Sequence, residues 1–246
     1  MYTAFAHVYD LLMADIDYQS WADHYIRLLR MGGQSSGEHC AECACGTGNL
    51  TIPLQLKGLK MTGIDLSGEM LEIAMAKARK AGVFIPFVLQ NMCQITLSAP
   101  QDAVFCTCDG VNYLDRDSLR IFFSQAFRQL KPGGKLIFDL STPYKLKKIL
   151  GNSTLTRSEE HYAYIWENHW TEKNSCVRMA LDIFVCNKQN TYTRVEEYQI
   201  QYAHDREIIC QLLQLAGFQP PRFFHEMTLD PAADTDSRWH VVTIKP

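Results

Sequence analysis

The stretch Glu42-Cys43-Ala44-Cys45-Gly46-Thr47-Gly48-Asn49 holds the densest set of residues able to do chemistry. Two closely spaced glycines after a short apolar run let a ligand approach the backbone without meeting a Cβ atom. A helix beginning just beyond them points its free N–H groups at the same place. Many nucleotide binders share that much. A dinucleotide fingerprint wants a third glycine three residues after the second, and Thr51 stands there instead. A triphosphate cradle wants Gly-Lys-Ser/Thr, which is also missing. Glu42 precedes Gly46 by four residues, where a carboxylate can hold cationic groups or backbone amides at the turn. Asp65 follows Gly48 by 17 residues. A carboxylate at the tip of the neighbouring strand can accept both hydroxyls of a ribose. Its competing role is to cap the helix after Ser67.

A second group follows the apolar run 103–108: Cys108, Asp109, Asn112 and Tyr113. Asp109 can orient an amine or take a proton, or simply open the turn before Gly110. Tyr113 offers a polar handle on an aromatic ring, or a packing surface. Cys40, Cys43 and Cys45 read C-x-x-C-x-C, with Cys106 and Cys108 nearby. No partner half-site accompanies them, so they are expected as small buried hydrophobes rather than metal ligands. His161, His169, His204, His225 and His240 are scattered singly and are given no ligand role.

These residues need a scaffold. Helical spacing covers 1–31, and Gly32-Gly33 stops it before a polar loop at 34–37. Strands are expected at 39–45, 59–65, 84–89, 103–108 and 135–140. Asn49 is expected to cap the helix after the first strand, with Pro53 in its first turn. Ser67 caps a helix running to about Ala81, which Gly82 ends. Pro86 removes a ladder donor, which puts the third strand at a sheet edge. A helix over 118–130 is closed by Lys131-Pro132-Gly133-Gly134. This alternation predicts a parallel sheet covered by helices on both faces.

The rhythm changes after residue 150. Three runs rich in Tyr, Trp, Val, Ile and Thr lie within 158–203, separated by Lys173-Asn174 and Gln189-Asn190, and predict an antiparallel meander. One of its faces, drawn from Tyr162, Tyr164, Trp166, Trp170, Arg194, Glu197, Gln199 and Tyr202, could roof a pocket. The other use of such a face is a packed sheet or a homodimer surface. A helix over 205–216, closed by Gly217, and strands near 222–227 and 239–244 complete the chain. The expected division is a core of 1–151 and 204–246 carrying an inserted β-lid at 152–203.

Composition narrows the function classes. The chain has 246 residues, 47% hydrophobic and 21% charged, which is ordinary for a globular protein and argues against disorder. The net charge of −3 and the lack of a long basic run argue against nucleic-acid binding. Lys145, Lys147 and Lys148 are the nearest candidates and are expected on a solvated helix face. The N-terminus lacks a basic n-region and no apolar stretch is long enough to span a bilayer, so a cytoplasmic protein is expected. Nine cysteines at no framework spacing make disulfides unexpected there.

In this order and spacing, ECACGTGN, GIDLS (63–67), DAVFCTCDGVNYL (102–114) and LKPGGKLIFD (130–139) resemble the motifs of class I S-adenosylmethionine-dependent methyltransferases. The segment YDLLMADIDYQSW and the inserted sheet resemble a subgroup that includes glycine N-methyltransferase, the N,N-dimethyltransferases of deoxy-aminosugars and small bacterial methyltransferases without an assigned substrate. The resemblance implies a doubly wound, seven-stranded, mostly parallel α/β sheet. It implies S-adenosylmethionine as cofactor, S-adenosylhomocysteine as product, and methylation of a small molecule at nitrogen or oxygen. Ala44, Gly46 and Gly48 would line the methionine moiety, with Glu42, Cys45 and Cys108 beside it. Asp65 would take the ribose, Leu66 and Met70 would pack near the adenine, Asn91 would accept its amino group and Met92 would flank the ring. Tyr9, Tyr18 and Trp21 would close over the carboxylate end. Asp109, Asn112 and Tyr113 would face the acceptor. Two positions depart from the family pattern: Ala44 replaces its usual first glycine, and Asn91 replaces its adenine-binding Asp. An RNA methyltransferase, a non-catalytic cofactor-binding regulator and a nicotinamide-dependent reductase are the rival readings. Thr51 counts against the last.

Overall fold

The apolar runs of the first 140 residues pair side by side as parallel strands. The structure is a computed structural model and describes residues 3–32, 38–187 and 191–246. Strands β1 (His39–Cys43), β2 (Lys60–Asp65), β3 (Phe87–Leu89), β4 (Gln101–Cys106) and β5 (Leu130–Ser141) join β10 (Arg222–His225) and β11 (Arg238–Ile244) in one seven-stranded sheet. Its order is β10-β11-β5-β4-β1-β2-β3. β11 runs antiparallel between β5 and β10, and the rest is parallel. β1 pairs with both β2 and β4, so the winding direction reverses there. A crevice opens beyond the carboxyl ends of strands at such a reversal.

Both faces of the sheet are covered. Phe122, Phe123, Leu212 and Leu213 of α5 (Arg116–Gln129) and α6 (Arg206–Ala216) pack on one face. Tyr25, Leu28 and Leu54 of α2 (Tyr18–Arg30) and α3 (Thr51–Leu56) pack on the other, with Ala78 of α4 (Gly68–Lys80). Ser67 caps α4 by accepting the Met70 N–H at 3.2 Å. β3 lies at the edge and starts directly after Pro86, whose carbonyl accepts the Gly63 N–H.

Local chemistry departs from expectation in four places. The helix expected over 1–31 is two, α1 (Thr3–Leu12) and α2, because the Asp17 carboxylate accepts the Gln19 and Ser20 N–H groups and starts a new helix. Asn49 does not cap α3. Leu50 holds that position without a side-chain bond, and the Asn49 amide is engaged elsewhere. Lys131–Gly134 does not end at the helix but forms a bulge inside β5, between the pairs Gln101–Leu130 and Ala103–Lys135. The meander has four strands: β6 (Thr154–Ser158), β7 (Tyr162–Thr171), β8 (Cys176–Cys186) and β9 (Tyr192–Tyr202). β6 carries a single large apolar residue, Leu155, so it gave little pattern to read. Lys173-Asn174 turns β7 into β8 as expected. Gly33, the loop 34–37 and Gln189-Asn190 lie outside the described residues.

The four-stranded sheet rests its inner face on α1. Val177, Met179, Leu181, Ile183 and Val195 bury against Phe5, Ala6 and Val8, with Leu146 and Leu150 from the wide helical turn Lys145–Leu150. Lys147 and Lys148 on that turn are exposed, as expected. Among the described residues no helix is long and apolar enough to cross a membrane.

Candidate active site

A cavity of about 570 Å³ opens beyond the carboxyl ends of β1, β2 and β4. That volume lies inside the range of small-molecule sites. Glu42, Ala44, Cys45 and Gly46 form its floor. Gly46 has φ +54°, and a Cβ built there meets nothing nearer than the Tyr9 ring at 4.0 Å, so the glycine leaves the floor open. Gly48 does other work. A Cβ on it would come 3.2 Å from the Ala74 side chain, so it lets α4 pack closely and is not in the cavity wall. Ala44 adopts φ +55°, the left-handed region that favours glycine, where the family pattern has one.

The two carboxylates at the floor are held differently. Asp65 ends β2, and its oxygens accept the Gly46 N–H at 2.7 Å and the Ser67 N–H at 2.9 Å. It therefore ties the glycine loop to the start of α4 and still faces the cavity. Each carboxylate oxygen has a second lone pair, so room remains for a ligand's hydroxyls. Burial raises its pKa above the usual range. Glu42 is 1% exposed and accepts the hydroxyls of Thr51 and Thr107. Burial pushes its carboxyl up to about 7, although both hydroxyls favour the ionised form. Thr51, which occupies the third glycine position, thus has a definite role beneath the loop.

The wall continues through Leu66, Met70, Gln90, Asn91, Met92 and Cys93. Leu66 is exposed at the rim and Met70 is buried. The Asn91 side-chain oxygen accepts the Cys93 N–H at 2.8 Å and caps a short helical turn. Among the described residues lining the cavity there are two carboxylates and no Lys, Arg or His. Such a wall suits a cationic ligand.

The far end is built by segments distant in sequence. Phe5 and Tyr9 come from α1, Tyr18 from the start of α2, Cys108, Gly110 and Tyr113 from the β4 exit, and Tyr198, Gln199, Ile200 and Tyr202 from β9. The Tyr113 hydroxyl donates to Gln199 Oε1 at 3.0 Å. The Tyr18 hydroxyl is buried and makes no well-formed hydrogen bond. Burial raises the pKa of Tyr9 and Tyr18, so both stay neutral. Helix α1 is latched over the loop. Asp10 accepts the Thr47 hydroxyl at 2.6 Å and the Asn49 amide at 2.9 Å, and Lys77 pairs with Asp10 at 2.7 Å while donating to Thr47 and Asn49.

Three expectations are corrected here, two at the β4 exit and one on α2. Asp109 does not reach the cavity wall. Its carboxylate forms a two-pronged pair with Arg238, at 2.5 and 3.1 Å, and accepts the Ser141 hydroxyl. Burial alone would raise its pKa, but Arg238 and Lys145 outweigh that and hold it below the usual range. A carboxylate so neutralised is a poor base. Asn112 is fully buried and works as a clamp. Its amide donates to the carbonyls of Ser141 and Tyr202, and its oxygen accepts the Ser141 N–H. Trp21 lies against His240 and under the Arg238 guanidinium, away from the cavity. Of the three residues expected to face an acceptor, the structure brings Tyr113 alone to the wall. The cysteines at 40, 43 and 106 are buried strand residues, and among the described residues no cluster of potential metal ligands occurs. Phe5, Thr107 and Tyr198 are wall residues without a local signal; they reach the site through tertiary packing.

Comparison with known proteins agrees with this geometry. A family model described as a methyltransferase domain matches residues 41–134. A protein of Geobacillus sp. (strain WCH70) named as a methyltransferase is 32% identical over 99% of each chain. The protein YqeM of Bacillus subtilis (strain 168), also named as a methyltransferase, is 33% identical over 96% of this chain and 94% of its own. Among solved structures, an S-adenosylmethionine-dependent methyltransferase from Clostridium acetobutylicum ATCC 824 superposes with a TM-score of 0.88, at 30% identity over 99% of this chain and 98% of that one. CalS10, an amino pentose methyltransferase from Micromonospora echinaspora, shares the fold with a TM-score of 0.78 at 18% identity, over 97% of each chain.

Proposed function

The chain belongs to the S-adenosylmethionine-dependent methyltransferases, and we propose that it methylates a small molecule, at nitrogen or oxygen, inside the cavity described above. One observation carries this reading. A single cavity runs from Asp65 and Asn91 at one end to Tyr113 and β9 at the other, so cofactor and acceptor ends are continuous. A regulator that only bound the cofactor would not need the second end. The acidic, cation-free wall is poorly suited to a phosphate backbone.

The residues present fit the cofactor. The cavity is large enough, Gly46 leaves space at the floor, and two carboxylates face a ligand that carries a sulfonium and an ammonium. Asp65 takes the ribose hydroxyls through its remaining lone pairs. Leu66, Met70 and Met92 flank the adenine, and the Asn91 amide lies at its edge. Ala44, Cys45 and Gly46 line the methionine portion with Glu42 beneath it, and Tyr9 and Tyr18 cover it. When bound, S-adenosylmethionine supplies an electrophilic methyl group on sulfur.

The protein then has to align the acceptor in line with that group and exclude water. Phe5 and Tyr9 close the roof. Tyr113, held by Gln199, Cys108 and the β9 residues form the acceptor end, which makes residues 152–203 the substrate-binding insert. With Asp109 neutralised by Arg238, that end presents hydroxyls and an amide rather than a base. A neutral amine suits such a wall, because it attacks with its lone pair and sheds its proton afterwards. The fold shared with an amino pentose methyltransferase is compatible with such an acceptor.

Calorimetric titration with S-adenosylmethionine and S-adenosylhomocysteine tests the cofactor site. A screen with tritiated methyl groups over amines, aminosugars, phenols, quinone precursors and tRNA tests the acceptor class. Transfer to tRNA alone would overturn the small-molecule reading, and absence of binding would sink the reading as a whole.

A further inference from the structure

The β4 exit turn has an unusual backbone. Cys108 and Asp109 both have positive φ, +54° and +64°, and neither is glycine. L side chains rarely adopt that region, and two in succession need support from outside. The adjacent glycine does not supply it. Gly110 is there for closeness, since a Cβ on it would lie 2.7 Å from Cys106 Sγ.

The support comes from β5 and β11. The Asp139 carboxylate, fully buried, accepts the Cys108 N–H at 2.7 Å and the Asp109 N–H at 3.2 Å. Successive backbone amides converging on an anion form a nest that stabilises such a turn. The Tyr25 hydroxyl donates to the same carboxylate at 2.6 Å. Two buried carboxylates, Asp109 and Asp139, now face each other across the turn, and a single guanidinium satisfies both. Arg238 pairs with Asp109 and with Asp139, and reaches Glu226 at 3.1 Å through Nε. Its side chain is only 11% exposed and lies over the Trp21 ring. Without it, only Lys145 would offset the charge of two buried, mutually repelling carboxylates, and the turn would open to relieve them.

We propose that Arg238 is a positioning residue: by bridging Asp109 and Asp139 it holds the β4 exit turn in the form that sets Cys108 and Gly110 into the cavity wall and Tyr113 at its acceptor end. That this aligns a methyl acceptor rests on the methyltransferase reading; that Arg238 holds the turn does not. The arrangement also explains a spacing that sequence alone misreads. Asp109 sits where a base would be useful, yet the left-handed backbone turns it away toward Arg238.

Hydrogen exchange on the full-length protein tests the proposal, read at the amides of residues 107–113. In Arg238→Met these amides are expected to exchange at least about tenfold faster, since an unpaired buried carboxylate costs more than one decade. Amides of β1 and β2 should be unchanged. Arg238→Lys keeps a cation without the planar fork and should restore protection in part. Should Arg238→Met fail to fold, Asp109→Asn serves, because asparagine tolerates the left-handed region while losing the charge. It should loosen the same amides by a few-fold. Unchanged exchange in the turn, or acceleration spread evenly over the sheet, overturns the role. Titration of the same samples with S-adenosylhomocysteine separates the two readings. Wild-type protein that fails to bind it refutes the methyltransferase reading and leaves the exchange result to decide on Arg238. In Arg238→Met, affinity within about threefold of wild type is expected, because the nucleoside end is built by β1 and β2. Loss of affinity in proportion to the loosening would mean Arg238 supports the whole fold rather than the turn.

Discussion

Glu42 is a carboxylic acid buried beneath the loop proposed to hold the cationic cofactor, and its titration should be measurable. Burial raises its folded-state pKa to about 7. Between the unfolded value and about 7 the folded protein therefore holds more protons than the unfolded chain, and stability falls as pH rises through that window. Glu42→Gln should flatten the decline in melting temperature between pH 5 and 8. An equally steep decline in the variant would assign it to other groups. The ionised form attracts the sulfonium and ammonium, so S-adenosylmethionine affinity should rise several-fold, up to about tenfold, from pH 6 to 8, and lose that dependence in Glu42→Gln. Asp65 carries a second prediction. A hydrogen bond to a charged group contributes about 1.5–3 kcal/mol, so Asp65→Ala should weaken S-adenosylhomocysteine binding by roughly 10- to 100-fold in calorimetry. Retained affinity would leave Asp65 as a capping residue. Both acids were legible in the sequence because strand-end spacing fixes where such a side chain must emerge. Trp21, on α2, packs against His240 and Arg238 instead, and Asp109 and Asn112 were misread for a related reason. Spacing says which residues lie near a turn, but positive φ at Cys108 and Asp109 decides which way they point. Arg238 carried no local signal at all, lying 129 residues from its partner Asp109.

At the level of elements, the strands and helices of the parallel sheet were readable because each buries a face and shows the matching period. The failures occurred where a polar side chain replaced the pattern. Asp17 splits one apparent helix into α1 and α2, and Asn49 leaves the cap of α3 for Asp10 and Lys77. Neither competition leaves a periodic trace. The joint between the inserted sheet and the core is also polar. Asn112 links the end of β5 to the end of β9 through Ser141 and Tyr202. Asn112→Ala deletes these bonds and strands a buried carbonyl, which should cost about 2–4 kcal/mol in chemical unfolding. The same change should loosen β9 more than β4 in hydrogen exchange. A cost below about 0.5 kcal/mol, the range of ordinary surface changes, would show that apolar packing on α1 carries the joint alone.

For the molecule as a whole, the sequence predicted a parallel sheet and a later antiparallel meander, and two separate sheets are present. It could not show that α1 leaves its own helix pair to pack against the insert. That contact depends on the inner face of β8, and its burial was not separable from that of the outer face by alternation alone. Two histidines give the folded state a dependence opposite to that of Glu42. His24 and His240 stack edge to face at 4.7 Å between α2 and β11, and both are completely buried. Burial lowers both to about 3, reinforced by His240 and Arg27 at His24 and by Arg238 and His225 at His240. Between about 3 and the unfolded value the unfolded chain takes up more protons, so stability falls as pH drops through that window. Replacing both with leucine should flatten the loss of melting temperature between pH 6 and 4. An unaltered acid transition would place its origin in the carboxylates.

The latch between α1 and the glycine loop has a consequence for time rather than for affinity. Asp10 fastens the helix that carries Tyr9, and Tyr9 lies over Gly46, directly above the proposed cofactor floor. If a spent nucleoside leaves past this helix, Asp10 must first release Thr47, Asn49 and Lys77. Residence of the product, rather than the transfer itself, would then set the pace of each cycle. Stopped-flow measurement should find S-adenosylhomocysteine leaving Asp10→Asn several times faster than wild type, while equal departure rates would mean that the nucleoside leaves by a path the helix does not guard.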